Sequence, residues 1–165
     1  MNGLRVLAPL AAVAALAFYG IQPAHAEDWS LYKDYSFSKL QLAKPKAFAK
    51  QHVVMQVSQG DPRRWKLVLN NVANMMKYFG PDNVQVVVVA YGPGLKMLLK
   101  NSKMRERIQG LSSQGVEFDA CHNTMEGMKR KTGHLPKLVG SAVVVPGGIV
   151  RIIQLQQHGY NYIKP

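Results

Sequence analysis

The chain has 165 residues, with 21 Lys and Arg against 9 Asp and Glu, and its formal net charge at pH 7 is +12. This length allows one domain with a real hydrophobic core. The positive charge favours anionic partners such as lipid headgroups, acidic proteins or small oxyanions. A single cysteine, Cys121, excludes a disulfide within the chain.

The first 26 residues have the pattern of a secretory signal peptide. Arg5 gives a small positive region, residues 7–20 are almost all apolar, and Ala24-His25-Ala26 is a small-x-small cleavage site. The apolar run is short for a retained anchor, since a spanning helix needs ~20 apolar residues. We therefore predict export to a bacterial periplasm, with Glu27 as the first mature residue and no stable membrane span afterwards. Because of this export, we predict that nucleic acid is not a partner.

Residues 27–51 differ in composition from the rest of the mature chain. They are rich in Lys, Ser and aromatic residues, contain Pro45, and show no sustained period. We interpret them as an N-terminal arm that packs on a neighbouring subunit, with a flexible linker as the alternative. The folded domain is predicted to occupy residues 52–165.

From residue 52 onward, β-rich runs alternate with helical patterns. Asp61 is typical of a helix N-cap and Pro62 of the first helical position. The predicted strands are residues 52–58, 84–90, 116–120, 142–146 and, as a short strand or a tail, 160–163. The predicted helices are 62–79, one through Leu95, Leu98 and Leu99, one from about Ser102 to Gln114, one through Met125 and Met128 that ends near Gly133, and one through Ile149, Ile152, Ile153 and Leu155. This alternation predicts a three-layer α/β/α domain with a mostly parallel sheet of about five strands, of Rossmann or flavodoxin type.

Cys121 follows an apolar run and precedes a helical pattern. It is therefore predicted to lie at the carboxyl end of a parallel strand, where open α/β sheets bind ligands. A helix N-terminus stabilises a thiolate, and a protonated His122 would act in the same direction. We take Cys121 as the candidate catalytic residue. The alternative is a small residue buried in the core.

The loops that follow the first four strands should gather at that edge. Three of them carry glycine and lead into helices, so their backbone N–H groups could hold an anion. Turn chemistry alone explains the Gly-Pro-Gly sequence, which matches no nucleotide-binding motif, and Asp61 is better explained as a helix cap than as a catalytic acid. The candidate binding residues are Ser58, Gly60, Asp61, Tyr91, Gly92, Gly94, His122, Asn123 and Thr124. Asn123 and Thr124 are also candidates for first-turn caps.

A soft-metal site is the less favoured chemistry for the same region. Thiolate, imidazole and thioether suit Cu(I), and Cys121, His122 and Met125 lie close together in the sequence. Methionine at helical spacing is more often core packing. We therefore predict no metal and no cofactor. The nine acidic residues show no obvious catalytic pair.

Several strings together resemble the DsrE/DsrF-like family, in the subfamily with the Gly-Pro-Gly-Leu turn. The strings are Val57-Ser-Gln-Gly-Asp-Pro-Arg-Arg-Trp65, Leu69-Asn-Asn-Val72, Gly80-Pro-Asp-Asn-Val84, Tyr91-Gly-Pro-Gly-Leu95, Gly115-Val-Glu-Phe-Asp-Ala-Cys-His-Asn-Thr-Met125 and Tyr160-Asn-Tyr-Ile-Lys-Pro165. The resemblance covers residues 52–165 and implies a five-stranded α/β domain, often a homotrimer or homohexamer. It also implies that Cys121 accepts sulfur as a persulfide and passes it on.

We thus expect an exported DsrE-like protein that binds or transfers sulfur at Cys121, at most a sulfurtransferase-like carrier. Its partners would be copies of itself and a sulfur donor or acceptor, either a protein or a small sulfur anion. The alternative is a non-enzymatic oligomeric binding module with a structural cysteine.

Overall fold

A computed structural model describes Leu31 and residues 34–165. The strands are Gln51–Val57 (β1), Val84–Ala90 (β2), Glu117–Cys121 (β3), Ala142–Val145 (β4) and Asn161–Ile163 (β5). The α-helices are Pro62–Phe79 (α1), Arg105–Ser113 (α2), His122–Thr132 (α3) and Gly148–Gln157 (α4), and Gly92–Leu98 forms a 3₁₀ helix. The predicted signal peptide lies outside the described residues. Within the described part of the chain, no helix combines the length and apolar character needed to cross a bilayer.

The five strands form one parallel sheet in the order β4-β3-β2-β1-β5. The chain moves stepwise from β1 to β4 and then returns to the far side of β1. Since βαβ crossovers are right-handed, the connections before β4 lie on one face and α4 lies on the other. The predicted α/β class with a parallel sheet of five strands is confirmed, and the C-terminal run is a strand.

The two faces of the sheet have separate hydrophobic cores. The larger core packs α1, the 3₁₀ helix, α2 and α3 against alternate residues of the strands, such as Val86 and Phe118. The smaller core packs α4 against residues that point the other way, such as Val87 and Val89. β2 is buried along its whole length, as expected for a strand covered on both faces.

Local signals account for α1. The carboxylate of Asp61 accepts a hydrogen bond from the backbone N–H of Arg63 at 2.9 Å, and Pro62 is the first helical residue. Trp65 is buried and donates its indole N–H to the carbonyl of Gln59 at 2.7 Å. The predicted capping role of Asp61 is confirmed.

Three predicted elements differ from the structure. The segment after Tyr91 is a 3₁₀ helix, with the N–H of Gly94 donating to the Tyr91 carbonyl at 3.1 Å. The next helix begins at Arg105 rather than near Ser102. In α4 the buried side is not a continuous apolar stripe, because Ile149 and Ile153 are exposed and Arg151 is fully buried.

The described part of the arm packs on its own domain. Leu40 and Leu42 contact the smaller core. The backbone N–H of Lys46 donates to Gln85 at 2.8 Å, and that of Lys50 donates to the carbonyl of Asn83 at 2.9 Å. The arm thus lies on the α4 side of the sheet. Its contact with a neighbouring subunit stays a prediction.

Candidate functional site

The strand-end loops meet at one edge of the sheet, as predicted. Gly60 lies against Pro93, where an added Cβ would come within 3.3 Å of the proline side chain. The N–H of Gly92 donates to the hydroxyl of Thr124 at 2.9 Å. The loops after β1, β2 and β3 are therefore in direct contact.

The loop after β4 joins the same group. Gly148 faces the ring of Tyr91, and an added Cβ would lie 2.8 Å from the Tyr91 Cβ. The N–H of Asn123 donates to the carbonyl of Pro146 at 3.2 Å. All four loops thus form one packed surface at the carboxyl ends of the strands.

The N–H groups expected to hold an anion are already hydrogen-bonded within the protein. Gly92 donates to Thr124, Gly94 donates to the carbonyls of Ser58 and Tyr91, and Asn123 donates to Pro146. These bonds hold the loops together. The three N–H groups are therefore not available as donors to a bound anion. Thr124 ties α3 to the neighbouring loop instead of capping its own helix, which corrects its predicted capping role.

Cys121 is the last residue of β3 and the N-cap of α3, with φ −69° and ψ 112°. The predicted position at a strand end and a helix start is confirmed. In the described structure its side chain makes no capping hydrogen bond, and only 5% of the residue is exposed. Since side chains alternate along a strand, the thiol belongs to the same sheet face as Glu117 and Asp119.

His122 and Met125 lie on the other side of the sheet. Both line an open groove beside β4, and Met125 belongs to the larger core. His122 Nε2 is 3.8 Å from Glu126 Oε1, one helical turn away. The predicted soft-metal set of Cys121, His122 and Met125 is thus divided between the two faces. Among the described residues, no group of three or more His, Cys, Asp or Glu could hold a metal ion.

A buried ion network lies on the Cys121 face of β3. Arg151 donates from Nε to Asp119 at 2.8 Å and from Nη2 to Glu117 at 2.9 Å, and all three side chains are inaccessible to solvent. The backbone N–H of Ala43, in the arm, donates to the other oxygen of Glu117 at 2.7 Å. Two carboxyl groups therefore share one guanidinium in the interior.

This environment favours a proton on the carboxyl pair. Burial raises the pKa of Glu117 from 4.5 to about 8, the charge of Asp119 acts in the same direction, and the charge of Arg151 opposes both. Burial also raises the pKa of Asp119, again against the effect of Arg151. One proton on the pair leaves a single carboxylate to balance Arg151, so the network is neutral as a whole.

Gln154 extends the network to the arm. Its amide nitrogen donates to the carbonyls of Ser36 and Phe37 at 2.7 and 3.1 Å, and its amide oxygen accepts from the hydroxyl of Tyr35 and from Arg151. Arg151 also donates to the carbonyl of Gln41 at 2.8 Å. The arm is thus fixed by its backbone carbonyls to two side chains of α4.

The sequence analysis missed this carboxyl pair. The available signal was Glu117 and Asp119 two positions apart in a short apolar run, which places both on one face of a strand. A second signal was Arg151 between apolar residues of α4. Polar residues in such positions indicate buried partners.

The fold and the site define a class of protein: a parallel α/β domain with one thiol at the carboxyl end of its third strand. The family model described as "DsrE/DsrF-like family" matches residues 51–165. The chain belongs to the DsrE/DsrF-like family, and the resemblance in the sequence is confirmed at that level.

The solved structures that are similar to this chain include the following two. A protein of unknown function, MTH1491 from Methanobacterium thermoautotrophicum, shares 32% identity, with 70% of this chain and 100% of that one covered and a TM-score of 0.63. The ychN protein from E. coli shares 16% identity over 70% of this chain and 99% of that one, with a TM-score of 0.54, and supports the fold alone. No curated protein matches the chain.

Proposed function

We propose that this protein binds sulfur as a persulfide on Cys121 and transfers it to an acceptor. The observation that carries the proposal is the position of Cys121, which ends β3 and begins α3 in a DsrE/DsrF-like domain. The carboxyl ends of the strands are the edge at which open α/β sheets bind ligands. Sulfur relay is associated with this family. The subfamily with the Gly-Pro-Gly-Leu turn is part of the same proposal.

The chemistry asked of the thiol is a sulfur transfer without net oxidation. The Cys121 thiolate attacks the terminal sulfane sulfur of thiosulfate or of an inorganic polysulfide. A new S–S bond forms on the cysteine, the donor's S–S bond breaks, and sulfite or a polysulfide shorter by one sulfur leaves with the electron pair. An acceptor thiolate then takes the terminal sulfur by the same kind of attack and regenerates the Cys121 thiolate.

Two features of the structure support this role. The N-terminus of α3 follows Cys121 directly, so a persulfide anion on this residue would lie at the positive end of the helix dipole. The net charge of +12 favours the approach of anionic sulfur donors. With 5% of Cys121 exposed, the thiol suits a small donor such as thiosulfate better than a bulky reagent.

A second candidate is a non-enzymatic, oligomeric binding module in which Cys121 is structural. The observation that favours it is the burial of the thiol, since a free cysteine often fills a small space in a core. The two candidates differ in whether the native thiol reacts.

The test compares the native and the unfolded protein. Native protein is treated with thiosulfate or polysulfide, separated from the donor and treated with cyanide, and the thiocyanate released from bound sulfane sulfur is measured. We expect about one thiocyanate per chain from the wild type and none from Cys121→Ser. Sulfur uptake seen only in denaturant would support the structural module instead.

The setting of this chemistry is also part of the proposal. The sequence of residues 1–26 supports a periplasmic location after cleavage. We further propose that the protein assembles with itself, as a homotrimer or homohexamer, and that no cofactor takes part.

A further inference from the structure

An open groove of about 1030 Å³ lies beside β4, on the side of the sheet opposite the buried ion network. Met125, Leu138 and Val144 contribute its apolar surface, and Lys100 and Lys137 contribute its basic surface. The groove thus combines an apolar floor with a basic rim.

The basic rim is nearly free of acidic residues. Arg105 adds a third cation to Lys100 and Lys137, and all three are exposed. Glu106 is the only carboxylate among the described lining residues, and its Oε1 atom is 3.8 Å from Arg105 Nη2 on the protein surface. The groove therefore keeps an excess of positive charge.

A second depression of about 840 Å³ continues the groove. It shares Lys100, Arg105, Leu135, Pro136 and Lys137 with the first and adds the side chain of Met128. Leu135 is 40% exposed between the two depressions. An extended segment could thus contact apolar and basic side chains in turn along both depressions.

We propose that this groove, termed here the basic groove, binds an acidic and partly apolar segment of another protein. Charge complementarity selects this occupant, because the basic rim attracts carboxylates and the floor suits aliphatic side chains. A second copy of this chain fits less well, since it carries 21 basic and 9 acidic residues. Nucleic acid also fits less well, because the described lining of the basic groove contains no Phe, Tyr or Trp ring on which bases could stack.

The basic groove lies close to the Cys121 position. His122 lines it and follows Cys121 directly in the chain. A partner in the basic groove would therefore lie near the junction of β3 and α3. Docking itself needs no sulfur chemistry, so the inference goes beyond the proposed function and can be tested separately.

The experiment uses a fluorescein-labelled peptide of alternating Glu and Leu as the probe and the mature protein as the receptor. Fluorescence anisotropy gives the affinity of the wild type and of the charge-reversal variants Lys100→Glu, Arg105→Glu and Lys137→Glu. We expect each reversal to weaken binding by about fivefold or more, because it replaces attraction by repulsion. Leu135→Ser should also weaken binding, through loss of apolar contact.

Lys103→Glu is the matched control. Lys103 is exposed and three residues from Lys100, but it does not line the basic groove, and its reversal changes the net charge equally. We expect it to change the affinity by less than about twofold. Equal weakening by Lys103→Glu and Lys100→Glu would overturn the proposal, since binding would then follow net charge alone.

Two further outcomes would also overturn it. One is tighter binding of a labelled single-stranded oligonucleotide than of the peptide, with the same loss in the groove variants. The other is a groove variant that lowers the native mass of the protein, which would assign the basic groove to contacts between copies. A peptide with Ser in place of Leu should bind less tightly than the probe, and equal affinity of the two peptides would contradict the role of the apolar floor.

Discussion

Glu117 and Asp119 share the buried guanidinium of Arg151, and the interior cannot hold both carboxylates ionised without a large electrostatic cost. The pKa of Glu117 is raised to about 8 by burial and by the charge of Asp119. The folded protein therefore binds more protons than the unfolded chain between about pH 4.5 and pH 8. This network should make the protein more stable in mild acid than near pH 8.

We expect the Glu117→Gln variant to lose much of this pH dependence. The free energy of unfolding of the wild type should fall as the pH rises from about 5 to 8, because the folded state then has to release a proton that the unfolded chain has already lost. Glutamine carries no such proton, so the variant's curve should be flatter. Urea denaturation at several pH values measures this, with the exposed Glu106→Gln as the control. A slope equal to the wild type's in Glu117→Gln would contradict the shared proton.

The 3₁₀ helix approaches the end of β1 so closely that position 94 requires glycine. A Cβ at this position would collide with the carbonyl group of Val57. We expect Gly94→Ala to lower the free energy of unfolding by about 2 kcal/mol, since backbone must move to relieve the overlap.

The control for this substitution is Gly110→Ala in α2, where an added Cβ meets no atom within 4 Å. Alanine favours a helix interior over glycine, so this variant should be as stable as the wild type or more stable by about 0.5–1 kcal/mol. Thermal or urea unfolding compares the two. Equal stability of both variants would contradict the tight packing of the loop after β2.

At the scale of elements, α4 and the arm depend on each other. Arg151 and Gln154 hold carbonyl groups of the arm, and the arm's Ala43 donates to Glu117 of β3. The arm thus packs over the polar groups of Arg151, Gln154 and Glu117. The arm therefore completes the α4 face of the sheet.

We expect Arg151→Met to destabilise the protein by about 3 kcal/mol near neutral pH, because it leaves buried carboxyls without their cation. Amide hydrogen exchange in the arm, including that of Ala43, should become faster than in the wild type. Adding Glu117→Gln and Asp119→Asn should restore part of the stability. The exposed Arg130→Met serves as the control, with a change within about 0.5 kcal/mol. Unchanged exchange in the arm would contradict the coupling of the two elements.

Elements set by local signals could be predicted from the sequence. Asp61, Pro62 and the apolar period define α1, and the almost entirely apolar β2 was predicted at its observed bounds. The 3₁₀ helix could not be predicted, because the contact of Gly94 with Val57 comes from tertiary structure.

The candidate site could be predicted only in part, because some of its contacts join distant parts of the chain. The strand-end position of Cys121 follows from the order of strands and helices, which the sequence displays. The carboxyl pair required knowing that Arg151, on an element 32 residues away from Asp119, folds back onto β3. The hydrogen bond from the Gly92 N–H to the Thr124 hydroxyl likewise depends on how the loop after β2 meets the start of α3.

At the scale of the whole molecule, the two faces of the parallel sheet carry different features. One face carries the buried ion network and the arm, and the other carries the larger core and the basic groove. Cys121 lies at the strand end between the network on its own face and His122, which lines the basic groove. Sulfur transfer at this position would use the thiol on one side and a docked partner on the other.

The central claim is that Cys121 carries sulfur, and intact-mass spectrometry of the native mature protein tests it most directly. The protein would be purified from the periplasm and measured before and after treatment with thiosulfate or polysulfide, beside Cys121→Ser. We expect a mass gain of one sulfur atom that native iodoacetamide treatment beforehand prevents and that Cys121→Ser does not show. A native thiol that gains no sulfur and reacts with iodoacetamide only in denaturant would contradict the claim.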